Sequence, residues 1–543
     1  MLPIVKDIDF LTDFTETIDN PSQLATWEMF QQSYQIAETF KVDSFHTLVS
    51  MNFLPHMKFL PHQVQCAEKV IQDMSGRALL ADEVGLGKTI EAGLILKEYL
   101  IRGVVKKVLI LAPASLVNQW ALELNQKFYI PAVTAGKRVN WEHSNIIIAT
   151  MDLAKREPHR SAILNQVYDM VIIDEAHKLK NHKTKNYQFV QALQKKYFLL
   201  LTATPVQNKL TDIFNLISLL KPGYLGTYEN FNKKHQSTDP YLKQLIQQVM
   251  IRNRREETGV QWTDRHVSTI WVDFTEEELN TYQKIDDGCR DLQVVSSITY
   301  KREFCSSREA CYLSLKKWME MKELNNHETT LHHVLKNIEQ LPHHAKALKL
   351  VELIKNQNNE KFIVFTEYRA TQIYLQWLLQ QEGIKSVIFR GGFKKGKRDW
   401  MRQLFHDHAQ AMIATEAAGE GINLQFCHNL VNYDLPWNPM RLEQRIGRIH
   451  RFGQEHDVKI FNFAIRNTME EHVMNLLYNK INLFENVIGQ LDQILSKLDM
   501  KNLESEISQI FSESKTIGET KIKLDNLTSV INSLAEEQVG ESV

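Results

Sequence analysis

Cysteine is scarce in this chain: Cys66, Cys289, Cys305, Cys311 and Cys427 are five scattered residues, an odd number. No Cys-x-x-Cys pair occurs, which removes both a zinc module and a disulfide framework. Cys305 and Cys311 read as ordinary semi-buried thiols. Long apolar runs are also missing, and none reaches the length needed to span a bilayer. The start of the chain, Met1 to Asp9, carries acidic residues and no apolar core of a signal peptide. A cytoplasmic protein with no membrane partner is therefore expected. Nor is there an excess of one charge, because the formal net charge is −1. Any nucleic-acid-binding face must come from local basic clusters, and no base-reading module such as a recognition helix is visible.

What is present begins with Asp174-Glu175-Ala176-His177, which follows directly on the apolar run Met170-Val171-Ile172-Ile173. A buried strand ending in two carboxylates places them at the sheet edge where nucleotide phosphates bind. Asp174 suits Mg²⁺, a cation that prefers hard oxygen ligands. Glu175 is placed to orient and deprotonate a water attacking the γ-phosphate. Alone, the tetrapeptide would be a chance surface sequence after a core strand. Upstream, however, Ala78-Leu79-Leu80-Ala81 reads as a short buried strand, followed by Asp82-Glu83-Val84-Gly85-Leu86-Gly87-Lys88-Thr89 and a helical stretch from Ile90 to Leu100. Strand, glycine loop and helix in that order form a phosphate-binding loop. Gly85 and Gly87 let backbone N–H groups approach phosphate at a helix N-terminus. Lys88 supplies charge to the β- and γ-phosphates, and the Thr89 hydroxyl supplies a second Mg²⁺ ligand. Asp82 stands where the loop pattern has its first glycine.

Short apolar runs alternate with helical stretches twice along the chain. The first set is Val108–Leu111, Ile146–Ile148, Val171–Ile173 and Phe198–Leu201; the second is Phe362–Phe365, Val387–Phe389, Met412–Ala414, Leu430–Val431 and Ile460–Phe461. Continuous apolar runs suit strands buried on both faces of a parallel sheet. Two α/β sheets are expected, only the first with a phosphate loop. Between them the periodicity turns helical, with few candidate strands, and Thr275 with Glu278 forms a capping box. Near the start, Trp27, Phe30 and Tyr34 sit at helical spacing and read as core packing. Near the end, Phe484, Ile488, Leu491, Leu495 and Leu498 form a seam for a helix packed on another helix, of this chain or of a partner.

The second half also holds Gln444-Arg445-Ile446-Gly447-Arg448-Ile449-His450-Arg451. Arg448 and Arg451, three apart, share one helical face. A planar guanidinium there can reach into the other half's phosphate site and neutralise charge in the transition state. Hydrolysis would then depend on closure of the two halves.

Together these motifs resemble superfamily-two helicase-like ATPases, and specifically the Swi/Snf group. The resembling stretches are Leu60–Gln63, Ala81–Gly93, Leu111–Trp120, Asp174–His177, Leu201–Pro205, Ala414–Gln425 and Glu443–Gln454. Their wording is most similar to the bacterial RapA (HepA)-like branch, over roughly residues 55 to 480. The resemblance implies an α/β fold of two RecA-like parallel-sheet lobes with a helical insertion between them. Residues 1–56 would be an N-terminal helical extension, 57–222 the ATP-binding lobe, 223–345 the helical protrusion and linker, 346–470 the second lobe and 471–543 a C-terminal helical extension. The cofactors implied are ATP and Mg²⁺. Gln63 would read the adenine edge, and Asp82, Glu83, Gly85, Leu86, Gly87, Lys88 and Thr89 would hold the nucleotide. Glu175, Gln444, Arg448 and Arg451 would act on the phosphates. His177, Thr202, Thr204, Gly421 and Asn423 would couple ATP state to DNA contact. Some sixty residues precede Gln63, too few for the further domain RapA carries before its ATPase.

Lys178, Lys180, Lys183 and Lys185 trail the first carboxylates, Lys394, Lys395, Lys397 and Arg398 cluster in the second half, and Arg252, Arg254 and Arg255 lie near the end of the first. Basic clusters on two lobes suit a motor that tracks phosphates without reading bases. The expected activity is ATP-dependent translocation on double-stranded DNA that displaces bound protein, RNA polymerase or another complex, without separating strands. A strand-separating RNA or DNA helicase is the competing enzyme. A degenerate motor serving as a scaffold is the non-enzymatic alternative, against which the intact Lys88, Thr89, Asp174, Glu175, Arg448 and Arg451 stand.

Overall fold

The computed structural model describes residues 26–32, 47–136, 139–202, 210–228, 231, 240–253, 255–259, 262–291, 297–321, 330–357, 360–393, 395–415, 424–437, 439–475, 507–511, 513–514 and 518–527. The chain divides into Met1–Val49 and Ser50–Val543. In the first unit, Trp27 and Phe30 stack with ring centroids 5.4 Å apart. They are 69% and 52% exposed, so these two rings pack on each other and not in a core. Tyr34 and the seam from Phe484 to Leu498 lie outside the described residues.

The second unit contains two parallel sheets. Seven strands form the first, in the order β3-β4-β2-β5-β6-β1-β7. They are β1 (Arg77–Leu80), β2 (Val108–Ala112), β3 (Val133–Thr134), β4 (Ile146–Thr150), β5 (Val167–Asp174), β6 (Gln194–Leu201) and β7 (Met250–Ile251). Six strands form the second, in the order β10-β11-β9-β12-β13-β8. These are β8 (Arg265–Val272), β9 (Phe362–Thr366), β10 (Ser386–Phe389), β11 (Ala411–Thr415), β12 (Asn429–Asn432) and β13 (Val458–Ile465). Every apolar run of the two sets lies in one of these strands. Burial on both faces explains their composition, since no position along β2 or β9 faces water.

Register places the chemistry. Leu80 of β1 pairs with Leu201 of β6, and Leu201 pairs with Asp174 of β5. The carboxyl ends of three adjacent strands therefore finish level, and the phosphate loop, the two carboxylates and Thr202 leave the sheet side by side. In parallel α/β sheets that edge is where ligands bind.

Residues 223–345 hold more than helices. β7 pairs with β1 in the first sheet and β8 with β13 in the second, so this segment adds a strand to each. Its helices also share a core with the second sheet, where Tyr282, Phe304, Cys311 and Val334 pack with Phe362, Leu375 and Phe463. The capping box forms: Thr275 N–H donates to Glu278 Oε2 at 2.9 Å, and Glu278 N–H to Thr275 Oγ1 at 3.2 Å. All five cysteines are free and buried. Among the described residues no helix is long and apolar enough to cross a membrane.

Candidate active site at the lobe interface

The phosphate loop runs from β1 into α2 (Lys88–Ile101). Gly85 and Gly87 both have φ of +95°, a backbone region that favours glycine. Lys88 is half-buried, and its ammonium donates to the carbonyls of Asp82 at 2.5 Å and Glu83 at 3.2 Å. Burial lowers its pKa, opposed by the charges of Asp82, Glu91, Glu175 and Asp174. A lysine folded onto its own loop, with four carboxylates around it, carries the charge that phosphates would meet.

Two of the residues expected to hold nucleotide have side chains engaged within the protein. Asp82 is fully buried, and its carboxylate accepts from the Asn253 backbone N–H at 2.8 Å and side-chain amide at 2.9 Å. Glu83 forms an ion pair with Arg255 at 3.1 Å. Both carboxylates tie the loop to the segment that follows β7. Gln63, on α1 (Pro61–Gln72), accepts from Leu60 N–H at 3.1 Å and donates to Leu86 O at 2.9 Å. Its amide lies against Gly87, where a Cβ would stand 2.6 Å from Gln63 Nε2.

Asp174 Oδ2 accepts from Trp120 Nε1 at 2.9 Å, and Oδ1 from Glu175 N–H at 2.8 Å. Burial, then the neighbouring Glu175 charge, push its carboxyl up to about 6. Glu175 sits at φ 54°, a left-handed conformation that residues other than glycine rarely adopt. Burial would raise its pKa, but His177, Lys88 and Arg448 outweigh it and hold the carboxyl at about 2. Glu175 is thus a carboxylate at neutral pH. His177 Nδ1 lies 3.1 Å from Glu175 Oε2 and 3.5 Å from Thr202 Oγ1, joining the strand ends of β5 and β6.

The second lobe reaches this site through α4 (Pro439–Ile446) and the turns after it. Arg448 is 8% exposed, its Nε donates to Gln444 O at 2.9 Å, and its charge is felt at Glu175 across the interface. Arg451 Nε donates to Gly447 O at 2.5 Å. Burial and then Arg448 lower its pKa, with Glu123 of the first lobe opposing. Gly447 packs directly on the phosphate loop, since a Cβ there would stand 2.3 Å from Val84 Cγ1.

The basic residues divide. Lys178 and Arg398, the latter on α3 (Lys395–Asp407), line one cleft of about 400 Å³ together with Asp174 and Glu175. Lys180 forms an ion pair with Asp212 at 3.8 Å. Lys183 and Lys185 are exposed, as is Lys397, which lies 4.5 Å from the Phe393 ring centroid. Arg255 leaves the basic surface altogether: it is 8% exposed, between the lobes. Arg254, Thr204, Gly421, Asn423, Lys394 and the side chain of Lys395 lie outside what the structure describes. Trp120 and His450 also join the site from within the stretches Leu111–Trp120 and Glu443–Gln454, and Asn253 and Arg255 join it from outside any of the quoted motifs.

The family described as SNF2-related domain matches residues 62–350, and the helicase conserved C-terminal domain matches residues 345–453. The chain belongs to the SNF2-related family. It is an ATP-hydrolysing, helicase-like motor. This SNF2-related chain is 53% identical over 542 residues to the uncharacterized ATP-dependent helicase YqhH of Bacillus subtilis, covering 97% of each. It is 28% identical over 509 residues to the RNA polymerase-associated protein RapA of Haemophilus influenzae, covering 87% of this chain and 52% of that protein. The SNF2-related chain thus spans about half the length of RapA. The helicase domain of Hef from Pyrococcus furiosus shares the fold, with a TM-score of 0.51 at 18% identity over 78% of this chain and 98% of that one.

Proposed function

We propose that the chain is an ATP-driven translocase on double-stranded DNA that displaces or remodels DNA-bound protein complexes without separating strands. The observation that carries this reading is the cleft shared by Asp174, Glu175, Lys178 and Arg398. Hydrolytic carboxylates and cationic groups from both lobes line one space, so a change in lobe spacing driven by ATP is felt where a phosphate backbone would lie.

At the nucleotide, Lys88 leaves its loop carbonyls for the β- and γ-phosphates. Glu175, ionised at neutral pH, orients and deprotonates the attacking water. Arg448 and Arg451 neutralise charge that develops in the transition state, an effect worth about 10³–10⁵ in rate where such arginines have been measured. Gln444 would act near the γ-phosphate and His177, and Gly421 and Asn423 would close over the site from the second lobe. The contacts from Glu175 through His177 to Thr202 carry the nucleotide state towards Thr204. The donor set fits Mg²⁺: Thr89 and Asp174 are hard oxygen ligands, and a cation there would offset the burial and the neighbouring Glu175 charge that raise Asp174. When bound, Mg²⁺ supplies charge neutralisation on the phosphates. DNA would meet Lys178, Lys180, Lys394, Lys395, Lys397 and Arg398, through phosphates and without base sequence. RNA polymerase or another DNA-bound complex is the cargo that kinship with RapA supports.

The test is ATP turnover with duplex DNA, single-stranded DNA and RNA in parallel. Duplex should stimulate most, with little sequence dependence, and its affinity should fall steeply with salt as counterions are released. Replacing Lys394, Lys395 and Lys397 with alanine should flatten that salt dependence by roughly one unit of slope for each phosphate left without its cation. Equal stimulation by RNA, or none by duplex, would remove the duplex-tracking reading.

A further inference from the structure

Arg255 lies where the chain passes from β7 of the first sheet towards β8 of the second. Its sequence neighbours suggest a solvated basic cluster, yet it is buried, with both terminal nitrogens hydrogen-bonded and Nε in an ion pair. Nη2 donates to Val84 O of the phosphate loop at 2.6 Å and to His450 O of the second lobe at 3.3 Å. Nη1 donates to His450 Nδ1 at 2.8 Å. Nε pairs with Glu83 at 3.1 Å, the backbone N–H donates to Glu83 Oε2 at 3.0 Å, and the plane lies 4.5 Å from the Trp262 ring centroid. One side chain therefore holds the phosphate loop and the second lobe at once.

His450 is gripped from both ends of the same crossing segment. Arg265, which opens β8, donates from Nε to His450 Nδ1 at 2.7 Å, while His450 Nε2 donates to Thr263 O at 2.9 Å. With Nδ1 accepting and Nε2 donating, the ring is neutral. Burial and then the Arg265 and Arg255 charges favour the same state, lowering its pKa to about 3. Arg451 is the next residue in the chain, and its Cα would be 3.7 Å from a Cβ at Gly85, beside Arg255 Nη2 at 3.2 Å. The contacts run from the phosphate loop through Arg255 to His450 and so to Arg451.

We infer that Arg255 is a positioning residue for ATP hydrolysis: it clamps the phosphate loop to His450 and so sets where Arg451 stands over the nucleotide. This rests on the reading of Arg451 as a group acting on the phosphates. Arg255 acts through the protein and not on the nucleotide in this reading, because Nη1 and Nη2 are committed to Val84 and His450 and Nε faces Glu83. A planar fork is needed for that span, and a lysine ammonium cannot reach acceptors on both lobes in the same geometry.

The test is steady-state ATPase of the full chain carrying Arg255→Ala, Arg255→Lys, His450→Ala and the Arg255→Ala/His450→Ala pair, with Arg451→Ala alongside and thermal melting of each. Arg255→Ala should lower kcat by about 10- to 100-fold with KM for ATP changed less than about threefold. Arg255→Lys should not restore kcat, and the pair should be no slower than about twofold below its slower single variant. An unchanged kcat for Arg255→Ala, a rise in KM alone, or additive losses in the pair would overturn the inference. So would melting transitions lost in both Arg255 variants, which would leave Arg255 a folding residue only. Wild-type turnover in Arg451→Ala would instead sink the reading of Arg451, whatever Arg255 does.

Discussion

Replacing Gly447 with alanine tests whether the lobes must seat on one another for hydrolysis. The added methyl would stand 2.3 Å from Val84 Cγ1, a clash, and 3.4 Å from Val84 Cβ, an ordinary contact, so the valine's branch is what it meets. It would also lie 3.2 Å from Glu443 O at the end of α4. Overpacking of this kind costs about 1–3 kcal/mol. Assigned entirely to closure over the nucleotide, that is a loss of about 5- to 150-fold in turnover. Each lobe has its own core, so melting should move by only a few degrees. Steady-state ATPase of Gly447→Ala, Val84→Ala and the double variant reads the effect, and Val84→Ala should return most of the lost rate by vacating the space. A Gly447→Ala enzyme as fast as wild type, or one that Val84→Ala fails to rescue, would refute the argument.

Lys88→Ala and Glu175→Gln should both abolish turnover for different reasons: fluorescent-nucleotide titration should show ATP binding lost in the first and kept in the second. Arg451→Ala should lower kcat far more than it weakens ATP binding, and a fall in affinity at unchanged kcat would make it a ground-state ligand. His344 is buried, and burial, then the Lys346 charge, lower its pKa to about 3. Below its unfolded value of about 6.5 the unfolded chain takes up a proton that the folded chain refuses, so stability is lost as pH falls from there towards 3. Urea melts at pH 7.5 and pH 5 should differ by about 2 kcal/mol from this group, and His344→Gln should remove that share.

The strands with continuous apolar sequence were legible, as were the phosphate loop and the acidic strand end, because burial on two faces and phosphate chemistry each demand particular residue types. β8 was not. It is an edge strand, half-buried, and Arg265-His266-Val267-Ser268-Thr269 carries no continuous apolar run. β7 has two residues, too few for any periodicity. The direction of the Asp82 carboxylate was hidden because its partner, Asn253, is remote in sequence and reaches it only once β7 pairs with β1. Arg255 misled for a related reason: adjacent arginines read as a solvated face, and nothing local says that one of them is enclosed between the phosphate loop and the second lobe. Trp27 and Phe30 show the converse, helical spacing without a core to fill.

The central claim is movement along intact duplex powered by ATP. The most direct measurement is release of a fluorescent third strand from a DNA triplex, run beside a forked duplex of matched length with ATP and with Glu175→Gln as control. Translocation without strand separation predicts ATP-dependent third-strand release by the wild-type chain, none by Glu175→Gln, and a fork that stays closed. Efficient opening of the fork, or ATP turnover on duplex with the third strand left in place, would contradict it.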